Sequence, residues 1–389
     1  MSCRVESAAD FAYRYCTDAL PRTADRVRAV LRARAVDEIT REPIRVDMQV
    51  TTAQDGVVPR VARDGLVGLI GQPARLFPAL GVAGVPLAMR VRAAGFLPLD
   101  LAGTLGPVAG FPDSFAPLDL GDAPLHRVGV ALAGRVVERA TVAPPAVPAA
   151  TIAIDGLWST LPPANWTPPA LLEPPNIVAL EPGLYAPRVA TATIRQRGLV
   201  LLPALAKRLQ LAAGPGELRV RLSDRDGLVA GTVIVVDSAE PALREAIAIA
   251  QVDTGAGVDE AAWVRLAHPL AYLHRDGATV VPVVVQPPVA PTTMARDGIA
   301  GDRVAFTAAA PAFAAGSFVE IDDGAAPREF QRVSLYATTS DGNGFFRLPP
   351  IARVALVRLN VQHAGLTPAL PILTLDYRGA QQRVTVSME

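Results

Sequence analysis

Apolar and polar residues alternate with a period of two along most of the chain. The segments VRAVLRARAV and IRVDMQV, between Val27 and Val50, are clear examples, and the polar turn Asp37–Pro43 separates them. Side chains of a β-strand point alternately to opposite faces, so this alternation predicts half-buried strands. The chain also has 36 prolines and 31 glycines, which favour short strands joined by turns over long helices. The sequence therefore predicts a mostly β protein.

The layout of this first segment recurs in Val128–Ile154. There, the strand LAGRVVE is followed by a turn that contains Thr141 and ends in proline, and then by the strand ATIAI. A second pair of similar segments begins at Arg63 (RDGLVGL) and at Ser340 (SDGNGFFRL), each with an acidic residue and a glycine in a turn ahead of a strand. We interpret these pairs as an internal repeat whose second copy is interrupted by a long insertion.

These patterns predict two β-sandwich domains, the second interrupted by a β-rich insertion, with a short N-terminal helix. Residues 1–26 form an N-terminal arm, and residues 27–125 form the first sandwich. Residues 126–190 plus 318–389 form the second sandwich with a proline-rich arm, and residues 191–317 form the inserted module. The helix is expected over residues 8–20, because Phe11 and Tyr15 lie four residues apart. It either docks on a neighbouring subunit or closes one end of the first sandwich.

Charge and targeting features narrow the class of protein. Lys+Arg and Asp+Glu both total 37, so the formal net charge is zero, which argues against a dedicated nucleic-acid-binding protein. Arg4, Glu6 and Asp10 interrupt any apolar core of a signal peptide. No uncharged apolar run reaches about 18 residues, so no membrane span is predicted. We expect synthesis in the cytoplasm without a signal peptide, with any extracellular role requiring release within a particle.

Two resemblances follow from the motifs. GRVVERATVAPP with ATIAI, and SDGNGFFRLPPIARVALVRLNVQHAGLTP, resemble the carboxypeptidase regulatory-like domain, a transthyretin-type β-sandwich. The segment from Gly214 to Gln286 is similar to a β-module of phage-tail and phage-tail-like particle proteins. The matching positions are Gly227-Leu228, Gly231, Asp237, Glu245, Leu266, Pro269-Leu270, His274 and Gly277.

The second resemblance implies a structural or adaptor subunit of a contractile phage-tail-like particle, such as an extracellular contractile injection system. It implies no catalytic residues and no cofactor. The expected partners are other subunits of the particle and further copies of this chain. The alternative function, from a different class, is a carbohydrate- or surface-binding module that uses Trp158, Trp166 and an acidic turn. We place partner-binding residues at Phe11, Tyr15, Trp158 and Trp166.

Few residues offer chemistry. His268 and His274 would share a face of an extended segment, where they either bind a metal ion or donate hydrogen bonds to carbonyls and water; their spacing and the lack of a nearby cysteine favour the second interpretation. The acidic turns at 224–227, 322–324 and 341–344 either bind calcium or are ordinary hairpin turns. Calcium-loop spacing is missing, so hairpin turns are expected. We therefore predict no metal site and no catalytic site.

Overall fold

The fold is that of a computed structural model, which describes residues 2–8, 11–17, 27–72, 84–108, 111–115, 117–139, 142–159, 173–255 and 257–389. The chain divides into two units, Met1–Val128 and Gly129–Glu389. Regular structure in the described residues is almost all strand, apart from a 3-10 turn at Pro203–Leu205. The predicted mostly β architecture is confirmed. None of the described helical structure is long or apolar enough to span a membrane.

The first unit is built from short strands and hairpins. Its described strands are β1 (Ser2–Ala8), β2 (Phe11–Thr17), β3 (Arg28–Asp37), β4 (Met48–Thr51), β5 (Val57–Val61), β6 (Leu66–Gly71), β7 (Val85–Ala93), β8 (Leu99–Leu105), β9 (Pro107–Val108), β10 (Phe111–Phe115) and β11 (Leu118–Leu125). One sheet has the order β11-β3-β6-β5 and another the order β4-β7-β8, while β1-β2 and β9-β10 are two-stranded hairpins.

A single hydrophobic core joins the two larger sheets of this unit. Leu31 and Leu69 from the first sheet pack with Leu87 and Val91 from the second. Along β7, alternate residues are buried and the residues between them are exposed, which is the expected packing of a β-sandwich strand. The last strand of the unit, β11, pairs in parallel with the first long strand, β3.

The N-terminal helix expected over residues 8–20 is not seen in the part of that segment that the structure describes, Ala8 and Phe11–Thr17. Phe11–Thr17 is strand β2, and it pairs antiparallel with Ser2–Ala8. The i, i+4 spacing of Phe11 and Tyr15 is also an even spacing, so it fits a strand, and aromatic residues favour strands.

The second unit contains the remaining strands. They are β12 (Val130–Glu138), β13 (Thr151–Trp158), β14 (Ile177–Glu181), β15 (Thr193–Arg197), β16 (Leu199–Leu201), β17 (Lys207–Arg208), β18 (Arg219–Leu222), β19 (Val233–Val236), β20 (Glu245–Val252), β21 (Ala262–Leu266), β22 (Thr279–Val285), β23 (Val289–Thr293), β24 (Val304–Phe306), β25 (Phe318–Asp322), β26 (Glu329–Ser334), β27 (Ala337–Thr339), β28 (Phe345–Ile351), β29 (Leu356–Gln362), β30 (Ile372–Thr374) and β31 (Gln381–Met388).

Strands from both ends of this unit form a second sandwich. One sheet has the order β28-β12-β31 and the other the order β27-β13-β29-β30. Leu132 and Val386 of the first sheet share a core with Ile152 and Leu359 of the second. As in the first unit, the last strand, β31, pairs in parallel with the first, β12. The remaining pairs in this sandwich are antiparallel.

The two sandwiches share a local hydrogen bond as well as part of their strand order, since β11-β3-β6 corresponds to β31-β12-β28 and β4-β7-β8 to β13-β29-β30. The Ala35 N–H donates to the Gly65 carbonyl at 2.8 Å, and the Val136 N–H donates to the Gly344 carbonyl at 2.9 Å. Gly65 and Gly344 have φ of 77° and 76°, a conformation that favours glycine. A Cβ on either glycine would lie 2.4 or 2.5 Å from a carbonyl oxygen of the neighbouring strand. The sequence repeat thus has a counterpart in backbone geometry.

Strands β14 to β26 form two further sheets between β13 and β27. A six-stranded sheet has the order β23-β15-β25-β26-β14-β24, and a seven-stranded sheet has the order β16-β22-β19-β20-β21-β18, with β17 also paired to β22. The sheet-forming stretch therefore runs from Ile177 to Ser334. The sequence-based boundaries at 190/191 and 317/318 both lie within it, and β25 and β26 pair with strands of the insertion.

The seven-stranded sheet closes on itself. Lys207 and Arg208 pair with β22 on one side, and Leu209 bridges to Leu222 of β18 on the other. Leu222, Ile234, Ile247 and Val264 fill its interior. The opposite face of β19 and β20 packs on Phe330 of β26, which joins the two inserted sheets.

Candidate functional site

A set of buried polar side chains lies at the junction of the two inserted sheets. Asp237 follows β19, Glu245 begins β20, and His274 precedes β22. The all-buried sequence VIVV of β19 ends at Asp237, which has a φ of 53°, a conformation that aspartate tolerates in turns. The β19–β20 hairpin and its pairing with β22 thus bring the three side chains to one end of the sheet.

Glu245 is the centre of this network. The residue is 1% exposed, and its carboxylate accepts from four donors. The Tyr185 hydroxyl donates to Oε2 at 2.7 Å, and His274 Nε2 lies 2.9 Å from Oε1. The backbone N–H groups of Ala271 and Tyr272 donate at about 3 Å. A buried carboxylate requires such partners, since an unpaired charge away from water is costly.

His274 lies between two carboxylates. Its Nδ1 is 2.7 Å from Oδ2 of Asp237, and its Nε2 faces Glu245. Burial alone would lower the pKa of His274, but the hydrogen bonds and negative charges of Glu245 and Asp237 outweigh burial and raise that pKa above its usual value. The two carboxylates have this effect because both ring nitrogens can donate hydrogen bonds only in the imidazolium form.

Tyr185 connects the two inserted sheets. Its hydroxyl donates to Glu245 of one sheet, and its backbone N–H donates to Glu329 of the other at 2.6 Å. Its ring stacks on His268 with centroids 5.3 Å apart, and His268 Nε2 lies 3.0 Å from the Pro327 carbonyl oxygen. Burial, with the charge and hydrogen bond of Glu245, raises the pKa of Tyr185 well above its usual value, so the phenol stays protonated.

Arg188 anchors the other side of the junction. The residue is 2% exposed, and its guanidinium donates to Glu329 at 2.7 Å, to Asp323 at 3.0 Å and to the Pro327 carbonyl at 2.6 Å. Hydrogen bonds from the Ala326 and Ala325 N–H groups, together with the charge of Arg188, lower the pKa of Asp323 despite its partial desolvation. Arg188, which follows β14 in the chain, thus binds the 323–329 segment through three hydrogen bonds.

The arrangement of His274 fits a structural role at the junction better than a role as a general base or a metal ligand. His274 is 0% exposed, and both its nitrogens face protein carboxylates. A general base must reach the proton it abstracts, and a metal ligand must offer a lone pair. The network meets neither condition with His274, whereas it supplies hydrogen bonds across the junction.

The three polar residues singled out in the phage-tail-like motif are brought together here. His268 lies within hydrogen-bond distance of main-chain carbonyl oxygens, whereas His274 faces two carboxylates, a pairing that neither interpretation of the sequence named. The acidic turns form local hydrogen bonds: Oδ1 of Asp341 accepts the N–H groups of Asn343 and Phe345. Within the described ranges, no group of three or more His, Cys, Asp or Glu is placed to hold a metal ion.

The four residues predicted to bind partners lie elsewhere. Phe11 and Tyr15 belong to strand β2. Trp158 ends β13 in the second sandwich, where its carbonyl accepts the Ala355 N–H, and it is half-buried. Trp166 lies outside the described residues. The partner-binding role of these four residues stays a prediction.

Sequence reasoning missed Tyr185, Arg188 and Glu329. The first two fall in a proline-rich stretch that we interpreted as an extended arm. A signal for Glu329 exists in EFQRV, where Glu329 and Gln331 alternate with apolar residues but are both buried. Polar residues on a buried face indicate an internal network, yet the sequence does not say which partners they meet.

Comparisons with known proteins do not assign this chain to a protein family. No protein-family model matches the chain, and no curated protein does. Among solved structures, crystal structures of BcpA, the major pilin subunit of Bacillus cereus, and of a variant of BcpA match with 6% and 7% sequence identity. Each match covers 93% of this chain and 99% of the pilin chain, with a TM-score of 0.17. Likeness at this TM-score carries no argument about fold or function.

Proposed function

We propose that this chain is a non-enzymatic structural or adaptor subunit of a contractile phage-tail-like particle. Its partners are other subunits of the particle and further copies of itself. It is made in the cytoplasm and leaves the cell only within the particle. The similarity of residues 214–286 to a β-module of such particles supports this proposal, together with the part that the motif residues play in the fold.

One observation carries the proposal: the motif residues serve the fold of the module. Leu228, Leu266 and Leu270 belong to one hydrophobic core. Gly227, Gly231 and Gly277 have φ of 68°, 90° and 78°, so each occupies a turn that favours glycine. The polar members, Asp237, Glu245 and His274, belong to the buried network. A motif made of core, turn and network residues is typical of a structural module rather than an active site.

The second sandwich adds a surface suited to assembly. Strand β31 lies at the edge of its sheet and is eight residues long. The residues of β31 alternate between exposed and more buried positions along its whole length, as in a regular β-strand. An edge strand offers backbone N–H and C=O groups to a strand from another chain, which is a common mode of subunit association.

Sedimentation of the native protein tests this function. The chain is epitope-tagged in the cells that produce it, and a gently prepared lysate is separated on a density gradient. We expect the tag in fast-sedimenting fractions that contain sheathed tubes by negative-stain electron microscopy. Recovery of the chain only at the position of a 40.7 kDa monomer would contradict the proposal.

A further inference from the structure

Three arginines share one exposed face of the closed seven-stranded sheet. Arg219 and Arg221 on β18 alternate with the buried residues Val220 and Leu222. Arg265 on β21 alternates in the same way with the buried interior of that sheet. Alternation places all three side chains on the outer surface, and each is exposed. We call the surface formed by Arg219, Arg221, Trp263 and Arg265 the arginine face.

The register of the strands concentrates positive charge there. Arg219 is the direct cross-strand partner of Arg265, and Arg221 is the partner of Trp263. Like charges in directly opposite positions destabilise a sheet. Elsewhere in the unit, strand arginines such as Arg358 form ion pairs with carboxylates. In the part of the chain that the structure describes, no carboxylate lies within ion-pair distance of the three arginines of this face.

The arginine face has a defined shape. The guanidinium carbon of Arg219 lies 5.2 Å from the centre of the Trp263 ring, a cation–π geometry that limits the motion of the arginine. A shallow cavity of about 390 Å³ lies beside this pair. Its lining residues are Arg219, Gln251, Val252, Asp253, Thr254, Trp263 and Arg265.

We propose that the arginine face binds an acidic polysaccharide, by its carboxylate groups and its hydroxyls. Guanidinium groups bind carboxylates through paired hydrogen bonds. The cavity rim adds Gln251, Asp253 and Thr254, which accept or donate hydrogen bonds to sugar hydroxyls. Asp253 favours a sugar over an acidic peptide or single-stranded DNA, because sugar hydroxyls can donate hydrogen bonds to its carboxylate, whereas glutamate side chains and DNA strands offer no hydroxyl groups along their length. Three arginines are also too few to neutralise the many closely spaced phosphates of a nucleic acid, which argues against that ligand.

This inference does not depend on the particle assignment, because a free chain would bind equally well. Binding of the full chain to polygalacturonate is measured by isothermal titration calorimetry at moderate salt. Neutral dextran, poly-L-glutamate and single-stranded DNA are compared under the same conditions. We expect binding to polygalacturonate only, and at least tenfold weaker binding by Arg265→Glu. The matched control is Arg383→Glu, since Arg383 is exposed on β31 and the charge change is the same.

Arg265→Glu places a carboxylate opposite Arg219, so we expect thermal stability equal to or above that of the parent chain. Arg221→Glu is a second variant in case the first misfolds, with the same expected loss of binding. No binding of polygalacturonate by the parent chain would overturn the proposal. Equal loss in Arg383→Glu, or equally tight binding of poly-L-glutamate or DNA, would also overturn it, because the interaction would then reflect charge alone or another polymer.

Discussion

Replacing Glu245 with alanine removes the acceptor that four donors share. The Tyr185 hydroxyl, the Ala271 and Tyr272 N–H groups and the His274 ring all lose their partner at once. His274 is completely buried, so water does not readily replace the lost carboxylate. Removing one partner of a buried ion pair costs about 3–5 kcal/mol, which we expect for the local stability of the inserted sheets.

Hydrogen exchange is the appropriate assay, because a chain of two units need not unfold in one step. Exchange followed by mass spectrometry reports the opening of β20 and β22 separately from the rest of the chain. A loss of about 3–5 kcal/mol corresponds to roughly 100- to 4,000-fold faster exchange in these strands. The two sandwiches are expected to change much less.

Glu240→Ala is the matched control, since Glu240 is an exposed glutamate in the loop between β19 and β20. A surface substitution of this kind changes stability by no more than about 0.5 kcal/mol, or roughly twofold in exchange rate. If Glu245→Ala accelerates exchange in β20 and β22 no more than this control does, the buried network does not hold the module together, and the reasoning is refuted.

Three further predictions concern the same unit. The pKa of folded His274 lies above the value near 6.5 of an unfolded chain, so the stabilising contribution of His274 is full below about pH 6.5 and is lost as the pH rises through the raised pKa. Denaturant unfolding measured from about pH 6 to about pH 9 should show this fall in the free energy of unfolding, and the pH dependence should be absent in His274→Gln. Arg188→Met leaves the buried Glu329 carboxylate without its ion-pair partner, so β26 should lose about 3–5 kcal/mol of protection against hydrogen exchange. An unchanged exchange rate in β26 would contradict the role of the ion pair. Gly344→Ala should lower the melting temperature through a cost of about 1–3 kcal/mol, whereas Gly342→Ala, where a Cβ meets nothing within 4 Å, should not; equal effects would refute the geometric argument.

Local patterns predict the strands of this protein but not their partners. The alternation in RARAV and ALAGRVVE identifies β3 and β12, because burial of one face leaves a period-two signal. The same signal is ambiguous where an even spacing also fits a helix, as for Phe11 and Tyr15. The buried network joins Tyr185 to Glu245 across 60 positions and Arg188 to Glu329 across 141. Such pairs are set by sheet topology, and no residue spacing encodes them.

We propose that this chain is built into a larger particle by contacts of its sheets. Electron cryomicroscopy of contractile tail-like particles purified from the producing cells tests it most directly. We expect density for the closed seven-stranded sheet and for the two sandwiches, with sandwich strands in contact with neighbouring subunits. Well-resolved particles that lack this chain, purified from cells in which it is abundant as a free monomer, would contradict the proposed role.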